Sequence, residues 1–170
     1  MGKKLPETIT EEELIKIIKS MPDKTIKHKK KKLAFMLGFY QAMRISEVVN
    51  LTIENVDKGR KLIMIKNAKG GKDRHIPIAP EVMKGLRYLP IGLGVRALEV
   101  SFKKYGKQFL GKDLHFHLLR HSGATHYLNK KKWNLRELQQ FLGHSRLDTT
   151  SIYTHVSPEE LINKMWGMEN

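Results

Sequence analysis

The sequence predicts a mainly helical chain with one small antiparallel β-sheet, an α+β fold. Apolar residues recur at helical spacing over most of the chain. One stretch, KLIMIKNAKGGKDRHIPI at residues 61–78, is typical of two strands around a glycine-containing turn. A length of 170 residues with 40% hydrophobic content is enough for one packed core, and no linker or repeat divides it. We therefore expect residues 1–170 to form a single domain.

The part of the chain that precedes the hairpin is predicted to be helical. Thr10 and Glu13 form a capping box, which indicates the start of a first helix. A second helix is predicted from the lysine cluster at 29–32 through LAFMLGFYQAM, which is apolar almost all round and therefore buried. This helix leads into Arg44 and a short helix that ends near Leu51.

After the hairpin the pattern is helical again. Helix caps, prolines and glycines divide this half into segments. The predicted helices cover about 80–89, 95–105, 117–129, 134–142, 149–154 and the stretch that follows Ser157-Pro158. The last of them has an apolar stripe that either folds back on its own domain or docks elsewhere.

The charge of the chain predicts a polyanionic partner. The formal net charge is +15 and the pI is about 10.0, with 24 lysines and 8 arginines. The absence of cysteine excludes disulfides, thiolate nucleophiles and cysteine-type zinc sites. No apolar run approaches membrane-spanning length and the N-terminus has no signal-peptide core, so we expect a cytoplasmic protein with no membrane contact.

Four of the eight histidines lie in HFHLLRHSGATH, residues 115–126. A metal site, a buried hydrogen-bond network and a phosphate site are the alternatives. The i, i+4 spacing of His117 and His121 suits zinc, but the residues between them include Arg120, which would repel a cation, and no glutamate. His117 and Arg120 are i, i+3 neighbours, and an arginine fork beside an imidazole suits a phosphate. We expect His121 to be buried and hydrogen-bonded.

Further residues suited to phosphate chemistry occur along the chain in a fixed order. They are Arg44 in MRISE, Lys69 in AKGGKDR, His117 and Arg120 in HLLRH, His144 in LGHS and Tyr153 in SIYTHV. This set closely resembles the catalytic domain of the tyrosine recombinases, the family of phage integrases and Xer-type recombinases. The resemblance runs from about residue 5 to residue 165, and departs from the family where Ala68 replaces a usual glycine and Ala42-Met43 a usual Gly-Leu.

The resemblance implies a fold, a reaction and a role for each of these residues. The fold is the tyrosine-recombinase catalytic domain, usually preceded by a separate N-terminal DNA-binding domain, which we expect to be absent here. Tyr153 would attack the scissile phosphate and form a 3′-phosphotyrosyl link while a 5′-hydroxyl leaves. Arg44 and Arg120 would hold the non-bridging oxygens, and Lys69 would protonate the leaving oxygen. Lys72 is the second candidate for this role and Lys66 the third. His117 and His144 would hydrogen-bond the phosphate or assist proton transfer.

Supporting and binding roles complete the prediction. Glu47 would orient Arg44 through a salt bridge, and His121 would support the site from within the fold. No metal or other cofactor is required, because the phosphotyrosyl bond conserves the energy of the phosphodiester. The partner is double-stranded DNA, held through its backbone by Lys29, Lys30, Lys31, Lys32, Lys72, Arg74, Lys130, Lys131 and Lys132.

The predicted function is site-specific DNA recombination: integration, excision or dimer resolution. In the family the C-terminal segment often docks on a neighbouring protomer and links an assembly of four on DNA, and a monomer in solution is compatible with this. Two alternatives stay open at this point. One is relaxation of DNA by a type IB topoisomerase, which uses a similar set of residues. The other is a DNA-binding module that is inactive without an N-terminal domain.

Overall fold

The computed structural model describes residues 7–66, 71–143 and 157–168. Within these ranges the chain is mainly helical with one three-stranded sheet. The helices are α1 (Glu11–Ser20), α2 (Ile26–Tyr40), α3 (Ile45–Asn50), α4 (Pro80–Met83), α5 (Val95–Leu110), α6 (His117–Asn129), α7 (Leu135–Leu142) and α8 (Pro158–Trp166), with short 3₁₀ turns at Ile53–Asn55 and Gly85–Tyr88. The strands are β1 (Val56–Asp57), β2 (Leu62–Ile65) and β3 (Arg74–Pro77).

Helix α2 lies at the centre of the core. Phe35, Leu37 and Phe39 are fully buried, and the Phe35 ring packs against Phe102 of α5 with 5.0 Å between centroids. The helix begins at Thr25, whose hydroxyl accepts a hydrogen bond from the His28 backbone, so it starts before the lysine cluster rather than within it. From Leu33 to Tyr40 the helix is buried on nearly all sides, as the composition of this stretch predicts, and this half of α2 is the one against which other helices pack.

Helix α6 crosses α2 at very close range. A Cβ built on Gly123 would lie 2.0 Å from the carbonyl oxygen of Phe39, so only glycine allows this approach. Nearby, the Tyr127 hydroxyl donates to the Tyr40 carbonyl over 2.6 Å. Helix α6, which carries Arg120, and helix α2, which ends four residues before Arg44, are therefore held together by backbone contact as well as by side chains.

The sheet is antiparallel in the order β1-β2-β3. Ile63 pairs with Ile76 and Ile65 with Arg74, so the hairpin predicted at 61–78 is confirmed. Strand β1 was not predicted, because two residues are too few to give a periodic signal. Gln41, fully buried, joins the sheet to the end of α2: its amide donates to the Pro77 carbonyl over 2.8 Å and accepts from the Ala79 backbone.

Two helix predictions differ from the structure. The stretch 80–89 is the short helix α4 followed by a 3₁₀ turn rather than one helix. Helix α5 extends to Leu110, five residues beyond its predicted end, and stops at Gly111 with φ +66°. The helix continues through Gly106, because this glycine is a packing position: the Leu114 side chain occupies the space that a Cβ would need. The predicted helix 149–154 lies outside the described residues.

The C-terminal helix α8 folds back on its own chain. Leu161 and Met165 are buried, and the Trp166 indole donates to the Ile78 carbonyl over 2.9 Å. Lys164 pairs with Glu137 of α7 at 2.6 Å. The sequence left open whether this helix folds back on its own domain or docks elsewhere. In the structure it packs on its own domain. Among the described helices, none is long and apolar enough to cross a membrane.

Replacing Gly123 by alanine is expected to destabilise the fold by about 3 kcal/mol, the upper end of the usual cost of overpacking, because the clash is with backbone rather than with a movable side chain. Urea denaturation measures the change. Gly59→Ala is the matched control: its new methyl would have an ordinary 3.5 Å contact, so a change within about 0.5 kcal/mol is expected. Equal stability of the two variants would contradict the close approach of α2 and α6.

Candidate active site

Arg44 stands at the N-terminus of α3, immediately after a sharp turn in the chain. Ala42 has φ +47°, and this left-handed residue turns the backbone away from the axis of α2. Glu47 then caps the new helix: the Arg44 backbone N–H donates to Glu47 Oε2 over 2.9 Å, and Arg44 Nη1 lies 3.1 Å from Oε1. The predicted contact between Glu47 and Arg44 is present. The Arg44 side chain remains 30% exposed and so can reach a ligand.

Arg120 approaches the same turn from α6. Its Nη1 donates to the Ala42 carbonyl oxygen and its Nη2 donates to the Leu142 carbonyl oxygen over 3.0 Å. The residue is only 6% exposed. A guanidinium has five N–H groups, so three are left after these two bonds. Arg120 therefore joins the turn after α2 to the end of α7 and keeps donors for an anion.

A third arginine, Arg74, completes the cluster from β3. It binds Glu47 with both terminal nitrogens, at 2.8 Å from Oε1 and 3.2 Å from Oε2. The side chain is 11% exposed and that of Glu47 is 9% exposed. Arg74 was predicted to hold the DNA backbone, but its guanidinium faces inward and is engaged by a carboxylate. A direct contact between Arg74 and DNA stays a prediction.

The electrostatics of the cluster favour an anion. Arg44 and Arg74 bind the Glu47 carboxylate, and Arg120 is near enough to be influenced by all three charges, so the cluster holds two positive charges in excess. Burial, together with the charges of Arg44 and Arg74, lowers the pKa of Arg120 to about 10, and the charge of Glu47 opposes them. Burial alone would raise the pKa of Glu47, but the hydrogen bonds and charges of Arg74 and Arg44 outweigh it and hold that pKa below its usual value. A phosphate would offset the excess positive charge.

The other predicted catalytic residues are placed only in part. His117 is exposed at the first turn of α6, three residues before Arg120, and Lys72 is exposed on the hairpin. Lys69, His144 and Tyr153 lie outside the described residues. The residue before His144 is described: Gly143 ends α7 with φ +71°, and a Cβ there would lie 2.6 Å from Arg74 Cδ. Residue 143, which precedes the gap in the described chain, therefore lies against the arginine cluster.

The prediction for the histidines needs a correction. His121, expected to be buried, is half-exposed, and among the described histidines the buried one is His126, at 9% exposure. Its ring packs between Phe39 and Tyr127, with centroids 5.4 and 5.7 Å away. The sequence held a signal for this, since His126 lies three residues after the glycine that meets α2 and one before a buried aromatic. Position on the core-facing side, rather than spacing to Arg120, decides which imidazole is enclosed.

The predicted DNA-binding lysines fall into two groups. Lys29 to Lys32 are half-buried, and three of them have partners within the chain: Lys29 lies 5.7 Å from the Tyr88 ring, Lys30 donates to the Pro90 carbonyl over 2.7 Å, and Lys32 pairs with Asp23 at 3.4 Å. Burial and the charges of Lys27 and Lys104 lower the pKa of Lys31. The exposed group is Lys72, Lys130, Lys131 and Lys132.

Metal ligands do not gather in the described part of the chain: no group of three or more histidine, aspartate or glutamate side chains there is placed to hold an ion. The cluster of Arg44, Arg74 and Arg120 with Glu47 carries an excess of positive charge, which favours an anion as its ligand.

Comparison with known proteins gives the family of the chain. Residues 7–90 and 93–160 match the model of the phage integrase family. The chain belongs to this family, as the order of its motifs predicts. Tyrosine recombinase XerA of Thermococcus onnurineus (strain NA1) is 35% identical over 178 residues, an alignment that covers 94% of this chain and 61% of the relative. The chain thus spans about three fifths of the length of the curated relative it matches.

Solved structures agree on the fold. A crystal structure of XerA recombinase superposes with a TM-score of 0.73 at 26% identity, over 98% of this chain and 66% of that one. The structure of XerH site-specific recombinase bound to its difH substrate, a pre-cleavage complex, gives a TM-score of 0.65 at 26% identity, over 94% of this chain and 53% of that one. The predicted fold, mainly helical with a small antiparallel sheet, is confirmed.

The buried imidazole of His126 predicts a pH-dependent stability. Burial lowers its pKa below the usual 6.5, with Lys131 adding to the effect and Glu11 opposing it. The unfolded chain then takes up the proton more readily than the folded chain, so this contribution to stability is complete above pH 6.5 and is lost as the pH falls below it. Urea denaturation between about pH 7.5 and pH 5 should show a weaker pH dependence for His126→Phe than for the unchanged chain.

The exposed His115 supplies the control, and His115→Gln is expected to keep the pH dependence of the unchanged chain. If His126→Phe also kept it in full, the assignment of the buried titrating group to His126 would be wrong.

Proposed function

We propose that residues 1–170 are the catalytic domain of a site-specific tyrosine recombinase, which cleaves and rejoins double-stranded DNA through a 3′-phosphotyrosyl intermediate. One observation carries the proposal: a preformed cluster of Arg44 and Arg120 with excess positive charge, in a chain of the phage integrase family that has Tyr153 in the family's order. The DNA in the XerH complex and the recombinase names of the relatives support the same class of substrate and reaction.

The arginines would act on the phosphate first. The arginine N–H groups that have no partner within the chain are suited to donate to the non-bridging oxygens. Each charged hydrogen bond contributes about 1.5–3 kcal/mol, and more as charge grows in the transition state. Neutralising the phosphate in this way also makes it a better target for a phenolate. Glu47 keeps Arg44 oriented without reaching the ligand, since its carboxylate is enclosed by Arg44 and Arg74.

The transfer itself would use the residues named by the motifs. The Tyr153 oxygen bonds to phosphorus, the bond from phosphorus to the 5′-oxygen breaks, and Lys69 gives that oxygen a proton. His117 and His144 hydrogen-bond the phosphate or carry the proton from Tyr153. A 5′-hydroxyl from another duplex reverses the step and exchanges strands, so no cofactor is consumed.

Strand exchange between two duplexes involves four strands and one tyrosine for each, which is the basis for proposing an assembly of four protomers on DNA. In the described chain α8 packs on its own domain, an arrangement that suits a monomer before DNA is bound. An enzyme of this kind would act in the cytoplasm, where prokaryotic or mobile-element DNA lies.

Covalent capture tests the proposal and selects the target sequence in the same experiment. A library of nicked duplexes with randomised sequence is incubated with the protein, and adducts that survive denaturant are isolated and sequenced. We expect an adduct on a defined sequence and no adduct with Tyr153→Phe. With Arg44→Ala the adduct should form about 10²–10³-fold more slowly.

The control for covalent capture is Tyr105→Phe, because Tyr105 packs in the core beside Phe109; its adduct yield should match the unchanged chain. An adduct that survives Tyr153→Phe would overturn the proposal, as would the lack of any adduct, which would leave a DNA-binding module. Relaxation of supercoiled DNA at any sequence would indicate topoisomerase activity instead.

The two groups of lysines predict different salt dependences of DNA binding. Lys72→Gln removes an exposed charge on the hairpin, so the slope of log affinity against log salt should fall by about 0.9, the value for one phosphate contact. Lys30→Gln is the matched control, because its ammonium is already bound to the Pro90 carbonyl, and its slope should not change. Fluorescence anisotropy over a salt series measures both. If the slope fell for Lys30→Gln and not for Lys72→Gln, Lys30 rather than Lys72 would be the phosphate contact.

A further inference from the structure

The turn that leads from α2 to Arg44 contains a left-handed residue that is not glycine. Ala42 has φ +47°, a conformation with a steric cost that glycine does not carry. Ala42 and Met43 are fully buried, and backbone hydrogen bonds close the end of α2: the Ala42 N–H donates to the Phe39 carbonyl over 3.3 Å, and the Met43 N–H donates to the Leu37 carbonyl over 3.4 Å. A residue keeps such a conformation only where its surroundings hold it there.

Gln41 holds the turn from the side of the sheet. Its side chain is fully buried, and its amide group bonds to the segment that leaves β3: Nε2 donates to the Pro77 carbonyl over 2.8 Å, and Oε1 accepts from the Ala79 N–H. Both ends of the amide are thus used on backbone groups. The residue that precedes Ala42 is therefore fixed to a part of the chain 36 residues away in sequence.

Arg120 holds the same turn from the side of α6. Its Nη1 donates to the Ala42 carbonyl oxygen, and its Nη2 donates to the Leu142 carbonyl oxygen over 3.0 Å. Arg120 is one of the two arginines that we propose to bind phosphate, and the other, Arg44, lies two residues after Ala42. The direction of the Ala42 carbonyl therefore affects both where Arg120 finds its partner and where the chain enters α3.

We propose that Gln41 is a positioning residue: by fixing the end of α2 to the segment after β3, it holds Ala42 in the left-handed conformation and so sets the separation of Arg44 and Arg120. The inference rests on the proposed function and adds a residue to it. Gln41 acts through the backbone of the turn, since the hydrogen bonds of its amide group go to the main chain. A glycine at position 42 would adopt this φ without steric cost, so the turn would then depend less on Gln41.

The dependence on residue 42 separates this role from a general loss of stability. Gln41→Met keeps the length of the side chain and removes both hydrogen bonds, so Ala42 is released and the two arginines lose their set separation. Adding Ala42→Gly removes the steric cost of the left-handed conformation and restores the turn without restoring those hydrogen bonds. A loss of activity that came only from unpaired buried groups would persist in the double variant.

The experiment measures the rate of adduct formation at saturating DNA on the sequence found by covalent capture, at a temperature where urea denaturation shows each variant to be folded. We expect Gln41→Met to react about 10–100-fold more slowly than the unchanged 170-residue chain, as a small misplacement does. Ala42→Gly alone should stay within about threefold of the unchanged chain, and the double variant should return to within about threefold of Ala42→Gly.

Ser122→Ala is the matched control. Ser122 is buried and its hydroxyl accepts from the Ile9 N–H over 2.9 Å, so its loss leaves a buried backbone group unpaired just before α1 and not at the turn. Its rate should equal that of the unchanged chain. If Gln41→Met does not fold, Gln41→Asn takes its place with the same expectations, because an amide shorter by one methylene cannot bond both backbone groups.

Three results would overturn the proposal. A double variant as slow as Gln41→Met would mean that Gln41 does not act through residue 42. A normal rate for Gln41→Met would mean that its hydrogen bonds do not position the arginines, and an equally low rate for Ser122→Ala would mean that the rate follows stability alone. If the unchanged chain forms no adduct, the proposed function itself fails and this proposal with it; if the unchanged chain reacts and only the variants depart from the expected pattern, the proposed function stands.

Discussion

The buried carboxylate of Glu47 is the contact on which the arrangement of the site depends. It receives hydrogen bonds from two arginines that come from distant parts of the chain, and it does so almost out of solvent. Removing one partner of a buried ion pair costs about 3–5 kcal/mol, because the remaining charge is left uncompensated. The turn after α2, the base of the hairpin and the end of α7 are therefore coupled, since each of them contacts Glu47, Arg74 or Arg120. The site is a product of this coupling and not of any one motif.

The sequence predicted those parts of the fold that local chemistry determines. The capping boxes at Thr10, Asn134 and Ser157 and the glycine after α7 mark helix boundaries that the structure reproduces, because caps depend on residues within one turn. The predicted end of α5 falls just before Gly106 and is wrong, because Leu114, eight residues further on, makes this glycine a packing position. Long-range packing of this kind leaves no periodic trace in the sequence.

In the candidate site, too, the sequence predicted short-range contacts but not long-range ones. Family order identified Arg44 and Arg120, and the spacing of Glu47 predicted its contact with Arg44, a short-range pair. The sequence could not show that Arg74 turns inward, because that depends on the register of β3 against β2 and on a partner 27 residues away. Nor could it tell that Lys30 and Lys32 are bound within the chain, since composition counts charges without placing them. The net charge of +15 therefore does not say which cations are available to a polyanion.

The contact between Gly123 and the Phe39 carbonyl has a consequence for how such a site can vary. Backbones that touch cannot slide past one another without breaking the helix packing, so α2 and α6 behave as one rigid body. Arg120 lies on α6 and Arg44 follows the turn at the end of α2, so the close packing of the two helices helps to set the separation of the two arginines and lowers the cost of ordering them around a ligand. Surfaces outside the α2–α6 pair are then the ones that can change in sequence while the packing between these two helices stays the same.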